Sequence, residues 1–534
     1  MSVPTTHAER NVRTAHSAML AVLFVLCFAL ASSPLWAQGY RATLNGQVTD
    51  PSGASVPGAA VTAKNVANGT VLRGTSQADG RFVITHVSPG TYDVTTEAKG
   101  FKQSLLAGIV VHVNDVLTIN IPLEVGEVQA TVTVSGATPV LTPESASLGM
   151  IVENRVITDM PLFGRNVNML VRLAPGVIPT GNSGVKYATV PSDRGNPVLI
   201  TTSGAPEKSN LFLLNGTWAR AGGSTSYTPS VESVQEFKMQ RNPYDAEYGH
   251  ASGAIANITT KSGTNEFHGS LYEFHRNRAL DANYFFSNKN GLPKPPFTYN
   301  QWGGTIGGPV RLPGYDGRNR TFFFFNYEGM RWVVGAGDIQ STVPSEAQRR
   351  GDFSTTRTAG GAPVTIYDPL TVAADAARPG QFIRQPFSGN RIPETRFDPV
   401  ARSIMGYYPR PNLPGNPQTG RFNFTYAGGS PLIYHQTGAR VDHNISDKSR
   451  ISAMWGYMPY HDEAKRPTPP GLGGGTGKEN TTHVNLDFIR TFSPSLVMNV
   501  NLGYQRANLQ RLPYSLGFDV CEPETSLTSV PVGG

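Results

Sequence analysis

The chain is poor in cysteine, in charge and in long apolar runs, and each shortage removes a class of protein. It has two cysteines in 534 residues, Cys27 and Cys521. Cys27 falls in a leader-like segment, so the remainder has no partner for an intramolecular disulfide. Charged residues are 16% of the chain, against about 25% in ordinary domains. That excludes a charge-rich disordered tail and a long coiled coil. The formal charge of +7 is spread thinly. There is no Lys/Arg cluster of the kind that tracks a phosphate backbone, so no nucleic-acid partner is expected. No histidine opens a His-Glu-x-x-His or His-x-x-Glu pattern, so no helical pair of metal ligands is on offer. No Gly-x-Ser-x-Gly elbow is visible either. The glycine-rich piece Gly471 to Lys478 fails as a phosphate loop. Leu472 stands at the first glycine position and Glu479 at the Ser/Thr position, so it reads as a surface loop. No catalytic residue, metal or cofactor is expected.

What is present is turn chemistry and strand pattern. The 57 glycines and 41 prolines exceed ordinary usage of about 12% without reaching the roughly 25–30% that marks low complexity. With 9% aromatics, this balance favours many short strands and a mainly β fold. An apolar run from Ala18 to Ala31 follows a weakly basic stretch holding Arg10 and Arg13. It is shorter than the ~20 residues that span a bilayer. Residues 1–37 therefore read as a secretory signal cleaved after Ala37. No second run of 18 apolar residues follows, yet an exported chain without helical spans can still cross a membrane as a closed barrel.

Residues 40–125 hold dense strand signals. Leu44, Gly46 and Val48 alternate with polar neighbours, and Asp50-Pro51-Ser52-Gly53 makes a turn. Ala78-Asp79-Gly80 and Ser88-Pro89-Gly90 punctuate the strands at Arg81–Ile84 and Thr91–Thr95, and Val116 to Leu123 alternates again. Six or seven short strands in so few residues imply a sandwich. The combination Gly46, Val48, Asp50, Gly53, Pro57, Gly58, Ala59, Val61, Thr75, Asp79, Gly80, Phe82, Pro89, Gly90, Tyr92, Val94 resembles the carboxypeptidase regulatory-like domain, a transthyretin-like sandwich. The resemblance is to the accessory domain and carries no peptidase site. Asp50 and Asp79 read as turn residues rather than calcium ligands.

Residues 126–265 form a second module. Glu127 to Ala137 (E-V-Q-A-T-V-T-V-S-G-A) has high strand propensity. It suits either addition to another protein's sheet or a last strand of the sandwich. Met160-Pro161-Leu162-Phe163-Gly164-Arg165-Asn166, Leu211 to Gly216, and above all Val231 to Gly269 resemble the plug of TonB-dependent outer-membrane receptors. The Oar-like branch, which carries a regulatory-like sandwich before an α+β plug, is the nearer resemblance. It makes Thr131, Val132, Thr133, Val134, Ser135, Gly136 and Ala137 a candidate TonB box, and it implies a TonB-type energy-coupling partner in the periplasm. Asn166, Asn215 and Arg241 are read as structural rather than path-lining.

From about residue 266 the pattern becomes that of a wall with one face to lipid and one to a polar lumen. Glu266 to Phe274 and Trp302 to Val310 alternate, and Phe322 to Phe325 is read either as an aromatic girdle or as a buried strand. Residues 341–432 read as a long outward loop, the best candidate for ligand contact. Strands resume at Gly438–Ile445, Arg450–Tyr457, Val484–Phe492 and Leu496–Gln505. A plugged barrel takes about 22 strands, and at about 9–11 residues each these need roughly 200–240 residues before any loop. Seven or eight are legible in residues 266–534, so this stretch reads as the N-terminal part of an antiparallel transmembrane barrel, as in a truncated receptor. The function implied by the resemblance is energy-coupled transport of an unidentified ligand at the outer membrane. The alternatives are an adhesive or structural surface protein without transport, or a receptor fragment.

Overall fold

The computed structural model describes residues 41–513 except 127–130, 134–141, 144–147, 180–199, 203, 207–208, 222–223, 226, 242–251, 284, 290–293, 295, 336–338, 427–428, 466–473 and 494–495. The leader, Cys521, Val134–Ala137 and Asp245–Gly249 therefore lie outside the described residues.

The first layer is a two-sheet sandwich. Strands β1 (Ala42–Thr49), β4 (Arg81–Val87), β7 (Val116–Thr118) and β8 (Ile121–Pro122) form one sheet, with β1 antiparallel to β4 and parallel to β7 and β8. Strands β2 (Ala60–Asn65), β3 (Val71–Thr75), β5 (Gly90–Glu97) and β6 (Gln103–Val111) form the other. Alternate side chains meet between the sheets, with Leu44, Val61, Phe82, Tyr92, Ile119 and Leu123 all but fully buried. The Asp50 carboxylate accepts from Ser52 N (2.8 Å) and Ala54 N (2.9 Å), and Asp79 from Arg81 N (3.0 Å). Both are turn residues, and no group of three metal-ligating side chains occurs among the described residues.

The segment after the sandwich is strapped to it. Strand β9 (Thr131–Thr133) pairs in parallel with Gln103–Leu105 of β6, and β10 (Thr142–Pro143) pairs antiparallel with Thr118 and Leu117 of β7. The extended reading of 127–137 thus takes its sandwich-strand alternative at Thr131, Val132 and Thr133.

The plug is a mixed sheet of β11 (Leu148–Glu153), β12 (Leu211–Leu214), β13 (Thr217–Trp218), β14 (Val234–Arg241) and β15 (Ile255–Thr260) in the order β11-β14-β15-β12-β13. The short helix α1 (Asn154–Asp159) and the 3-10 turns at 163–173 cover it. Strands β12 and β15 are buried along their whole length, β12 with apolar residues on both faces and β15 with Ile255, Ala256 and Ile258 beside the buried polar Asn257, Thr259 and Thr260, as a sheet covered on both sides requires.

The plug lies on the inner face of a seven-stranded antiparallel wall: β16 (His268–Asn277), β17 (Phe297–Pro309), β18 (Thr321–Gly335), β19 (Gly429–Ser446), β20 (Ser449–Lys465), β21 (Gly474–Ser493) and β22 (Leu496–Pro513). Period-two alternation sets the faces. Thr481, His483, Asn485 and Asp487 are buried inward, while Val484 and Leu486 are exposed outward. The phenylalanine run divides in the same way: Phe322 and Phe324 are buried against the inner side, and Phe325 faces out at 40% exposure.

Two sequence expectations need correction. Gly474–Lys478 is the start of β21 rather than a surface loop, and Gly429–Leu432 belongs to β19 rather than to the long loop. Both pieces lie at strand ends far from the short turns. At about 3.3 Å per residue an 18-residue strand runs ~60 Å, twice a hydrocarbon core. Strand ends that outreach the lipid have no apolar face to mark them.

At one end the wall strands are joined through two residues at 447–448, two at 494–495 and eleven at 310–320, while at the other they are joined through 278–296, 336–428 and 466–473, a much greater total length. The sandwich touches the short-turn end, where Arg73 pairs with Asp447. In an outer-membrane barrel short turns face the periplasm.

Close seating of the plug depends on two wall glycines. A Cβ on Gly456 would lie 2.5 Å from the Tyr227 ring, and one on Gly503 2.7 Å from Thr217 Cβ. Replacing Gly456 with Val is therefore expected to lift Tyr227 and destabilise the seated plug by about 1–3 kcal/mol, the usual cost of overpacking. Faster trypsin cleavage of the plug in membranes, with the wall strands still protected, is the check.

Candidate functional site: plug, wall and sandwich contacts

The plug meets the wall through hydrogen bonds and through an apolar cluster that includes Met330, Trp332, Met454 and Met458 of the wall. Gln436 Nε2 donates to Thr228 O (2.6 Å), Arg440 Nη1 to Thr260 O (2.8 Å) and Asn501 Nδ2 to Asn215 O (3.2 Å). His483 stacks on Tyr227 at 6.2 Å and lies 3.3 Å from Thr217 Oγ1. Asn215, at φ +48, holds its own turn by accepting from Thr260 N (3.0 Å) and donating to Thr260 Oγ1 (3.0 Å). Asn166 accepts from Asn168 N (3.0 Å) at the first residue of a 3-10 turn, and Arg241 sits in register with Leu148.

Towards the long-loop end a cavity of about 510 Å³ opens between plug and wall. It is lined by Leu162, Arg165, Phe274, Arg276, Tyr299 and Trp332 among others. The guanidinium of Arg165 lies 4.0 Å from the Phe274 ring centroid and pairs with Glu232. Beside it Glu328, 2% exposed, accepts from Tyr272 Oη (2.9 Å) and Tyr434 Oη (2.7 Å). The sequence carried Arg165 in a recognised motif, but nothing in it placed Glu232 or Glu328 nearby.

The long outward segment is ordered by side-chain hydrogen bonds rather than by a core. Asn390 Nδ2 donates to Phe353 O (2.7 Å) and Val364 O (2.8 Å), while its Oδ1 accepts from Ile366 N (2.7 Å). Arg349 binds the carbonyls of Met405, Tyr408 and Pro409 at 2.7–2.9 Å, next to the end of helix Pro399–Tyr407. Leu370, Val372, Phe382 and Ile383 stay exposed.

The sandwich makes two docking contacts. On the wall, Arg41 binds Asp487 (Nε to Oδ2 3.1 Å), with both side chains buried, and Arg450 donates to His86 O. On the plug, Glu236 accepts from Val113 N (2.9 Å) and contacts His112 Nδ1 (3.1 Å). Lys238 Nζ donates to Asp115 Oδ1 (3.0 Å) and to Val113 O, and Asn114 Nδ2 to Gln240 Oε1 (3.4 Å). The sequence did not reveal these pairs because their partners are more than 100 residues apart.

Comparison with known proteins fits this architecture. Residues 43–124 match the carboxypeptidase regulatory-like domain, and residues 259–522 match an outer-membrane beta-barrel domain. The chain is 26% identical over 253 residues to the TonB-dependent transporter Oar of Myxococcus xanthus, covering 44% of this chain and 22% of that one. It is 34% identical over 121 residues to the ferrienterobactin receptor of Escherichia coli K12, covering 20% of this chain and 15% of the receptor. The chain carries an outer-membrane beta-barrel domain behind a carboxypeptidase regulatory-like domain and is related to the TonB-dependent outer-membrane receptors. Its place is the outer membrane. It spans about a fifth of the length of the curated relatives it matches.

In this receptor chain the two docking contacts titrate in opposite directions. The hydrogen bond to Glu236, with Asp115 and Glu153 near, raises the His112 pKa above its ordinary value of 6.5. Its contribution to plug docking is thus full below 6.5 and lost as pH rises through the docked value. Burial, with Arg450 and Arg41 close by, depresses His86 to about 4. Its contribution to wall docking is full above 6.5 and lost as pH falls towards 4. Hydrogen-exchange protection, relative to intrinsic exchange at each pH, should therefore rise at 112–115 and fall at 85–90 between pH 8 and pH 5. His112→Asn should abolish the first trend alone.

Removing Arg165 would leave Glu232 buried and unpaired. Arg165→Ala is expected to cost about 3–5 kcal/mol, read as a lower urea midpoint for plug protection from protease.

Proposed function

We propose that the chain works in energy-coupled transport across the outer membrane, taking a ligand at the outward side and passing it along a path opened by plug movement. The seating of the plug on the inner face of the wall is the observation that carries this reading. Each hydrogen bond there nets only ~1 kcal/mol because water replaces it, while Met330, Trp332, Met454 and Met458 share one apolar cluster with plug residues, so displacing the plug takes work that the energy-coupling partner would supply. The cavity at Arg165 and Trp332 and the ordered segment 339–426 lie at the long-loop end and are the proposed ligand-facing surfaces. Two arginines and several rings line the cavity, which suits a ligand carrying both negative charge and flat apolar groups.

On this reading Thr131–Ala137 is the TonB box, which offers backbone hydrogen bonds to a TonB-type protein in the periplasm by strand addition. To be taken, Thr131–Thr133 must leave β6, so availability is set by how often this short strand frays. No bond is made or broken in the proposed activity.

The test uses the full chain in detergent and the purified periplasmic domain of the host's TonB-type protein. Binding by calorimetry is expected for the native chain and should disappear in Val132→Pro, which removes a backbone donor and breaks the added strand. Equal binding by the two would sink the assignment of 131–137.

A further inference from the structure

The seam between plug and wall holds a second cavity, of about 330 Å³, at its short-turn end. The wall lines it with Arg440, Asp442 and Arg450, and the plug with Thr259 and Thr260. The sandwich supplies a further side through residues 65–68 and 88–92. Strand β18 joins this chamber to the cavity at Arg165, since Trp332 lines one and Phe322 the other. Between them β18 and β19 turn Glu328, Asn326, Gln436 and Arg440 inward, with Met330 and Phe324 as apolar members of the row. Asn326 Nδ2 donates to Ser230 Oγ of the plug (3.3 Å) and Gln436 Nε2 to Thr228 O (2.6 Å). A mostly polar strip thus leads from the outer cavity to the inner chamber.

The plug turns unsatisfied polar groups to this side. Ala256 and Ile258 of β15 point into the apolar cluster shared by plug and wall, so alternation turns Asn257 and Thr259 the other way. That is the side on which Lys238, in register with Asn257, reaches the sandwich. Asn257 and Thr259 are 1% and 4% exposed. Both amide atoms of Asn257 and the Thr259 hydroxyl lack a hydrogen-bond partner among the described residues. A buried polar atom left in that state is costly. Thr259 lines the chamber, so the chamber suits a polar, hydrogen-bonding solute.

The sandwich is held to the wall less firmly than the plug is. The plug shares an apolar cluster with Met330, Trp332, Met454 and Met458 of the wall. The sandwich's own cluster, among the described residues, takes in none from plug or wall. Around the chamber its contacts are polar: Arg41 with Asp487, Arg450 with His86 O, Asn444 Nδ2 with Thr70 Oγ1 (3.1 Å) and Asn265 N with Ala67 O (3.0 Å). Neutral hydrogen bonds are readily exchanged for water, so the buried Arg41–Asp487 pair decides whether the sandwich stays down. We propose that the sandwich is the lid of a periplasmic exit chamber: a polar solute that has passed along the β18–β19 strip collects there and leaves when the sandwich lets go of the wall. This rests on the reading of the chain as a transporter. The grip of loop 112–115 on β14 lies outside the chamber lining and stays in place as the hinge.

The test uses the full chain in detergent, with Thr259→Cys as reporter in a background carrying Cys27→Ser and Cys521→Ser. The probe is iodoacetamide, a small polar thiol reagent. No transported ligand and no coupling protein takes part, so a failed lid is distinguishable from a failed transport reading, which the binding experiment above addresses. The reporter should react slowly in the parent. In Asp487→Asn, and separately in Arg41→Gln, its rate should rise by about tenfold or more, since breaking a buried pair from one side is costly. A cysteine in the outer cavity, Leu162→Cys, should react at one rate in all three. Gly456→Val, which lifts Tyr227 from the seam, should also expose the reporter while residues 85–90 keep their hydrogen-exchange protection. Retained protection of β2, β5 and β15 shows that sandwich and plug sheet are still folded. Equal reporter rates in the parent and both rim variants would overturn the proposal, because the sandwich would then close nothing. So would a reporter indifferent to Gly456→Val, because the seam would then not lead to the chamber.

Discussion

The contact between the plug and the inner face of the wall joins hydrogen bonds to one shared apolar cluster, and the other features of the molecule are arranged around it. A wall strand has two faces. The outward face must be apolar to sit in lipid, and alternation hands the opposite face to polar side chains. His483, Asn485, Asp487, Arg440 and Gln436 are the result. A plug that rests on such a surface presents polar groups of its own, and it offers carbonyls at Asn215, Thr228 and Thr260 to wall donors. Its apolar cluster also runs on into Met330, Trp332, Leu432, Met454 and Met458 of the wall. The hydrogen bonds fix geometry closely but are exchanged for water at modest cost, and the apolar part of the seat adds to its hold.

Charge is used more sparingly and in more decisive places. The chain has few ionisable residues, and two of the pairs cross module boundaries, Arg41 with Asp487 and Lys238 with Asp115, while Arg165 with Glu232 joins distant segments of the plug. A buried pair of this kind is poor at adding stability beyond an apolar replacement, but costly to break from one side. It therefore acts on registration: the sandwich, plug and wall fit in one arrangement because any other leaves a buried charge alone. His112 and His86 add a dependence on proton concentration at the two faces of the sandwich, with opposite signs.

Much of this architecture is legible in the chain, and what is hidden is hidden for physical reasons. Sandwich strands are flanked by Asp-Gly and Pro-Gly turns and alternate cleanly, so Arg81–Val87 and Gly90–Glu97 stand out locally. Wall strands show only where they cross lipid. The ends at Gly429–Leu432 and Gly474–Lys478 have no apolar side to display, and their glycines imitate a loop. Phe322–Phe325 could not be assigned to one environment because it occupies two, each residue turned against the last. Of the site, Asn166, Arg165 and Asn215 lie in recognisable segments. Their pairings are not legible, because Glu232, Thr260 and Glu328 are brought near them only by folding.

The outward segment 339–426 follows a different rule from the rest. Its base is closed by Ile339–Ser341 pairing with Phe424–Tyr426, and Asn423 imitates a strand partner there by accepting from Val343 N and donating to Val343 O, both at 2.8 Å. Above that base Asn390 and Arg349 take the place of a hydrophobic centre, each collecting carbonyls from several chain segments. Order held by one side chain against several carbonyls is specific, because a single amide or guanidinium fixes the mutual positions of distant stretches. It also leaves the surface apolar groups at Leu370, Val372, Phe382 and Ile383 unspent. A segment organised this way keeps its shape without a core and keeps its large apolar side chains at the surface. Those are the properties a surface needs if it is to meet another molecule rather than only cover the barrel mouth.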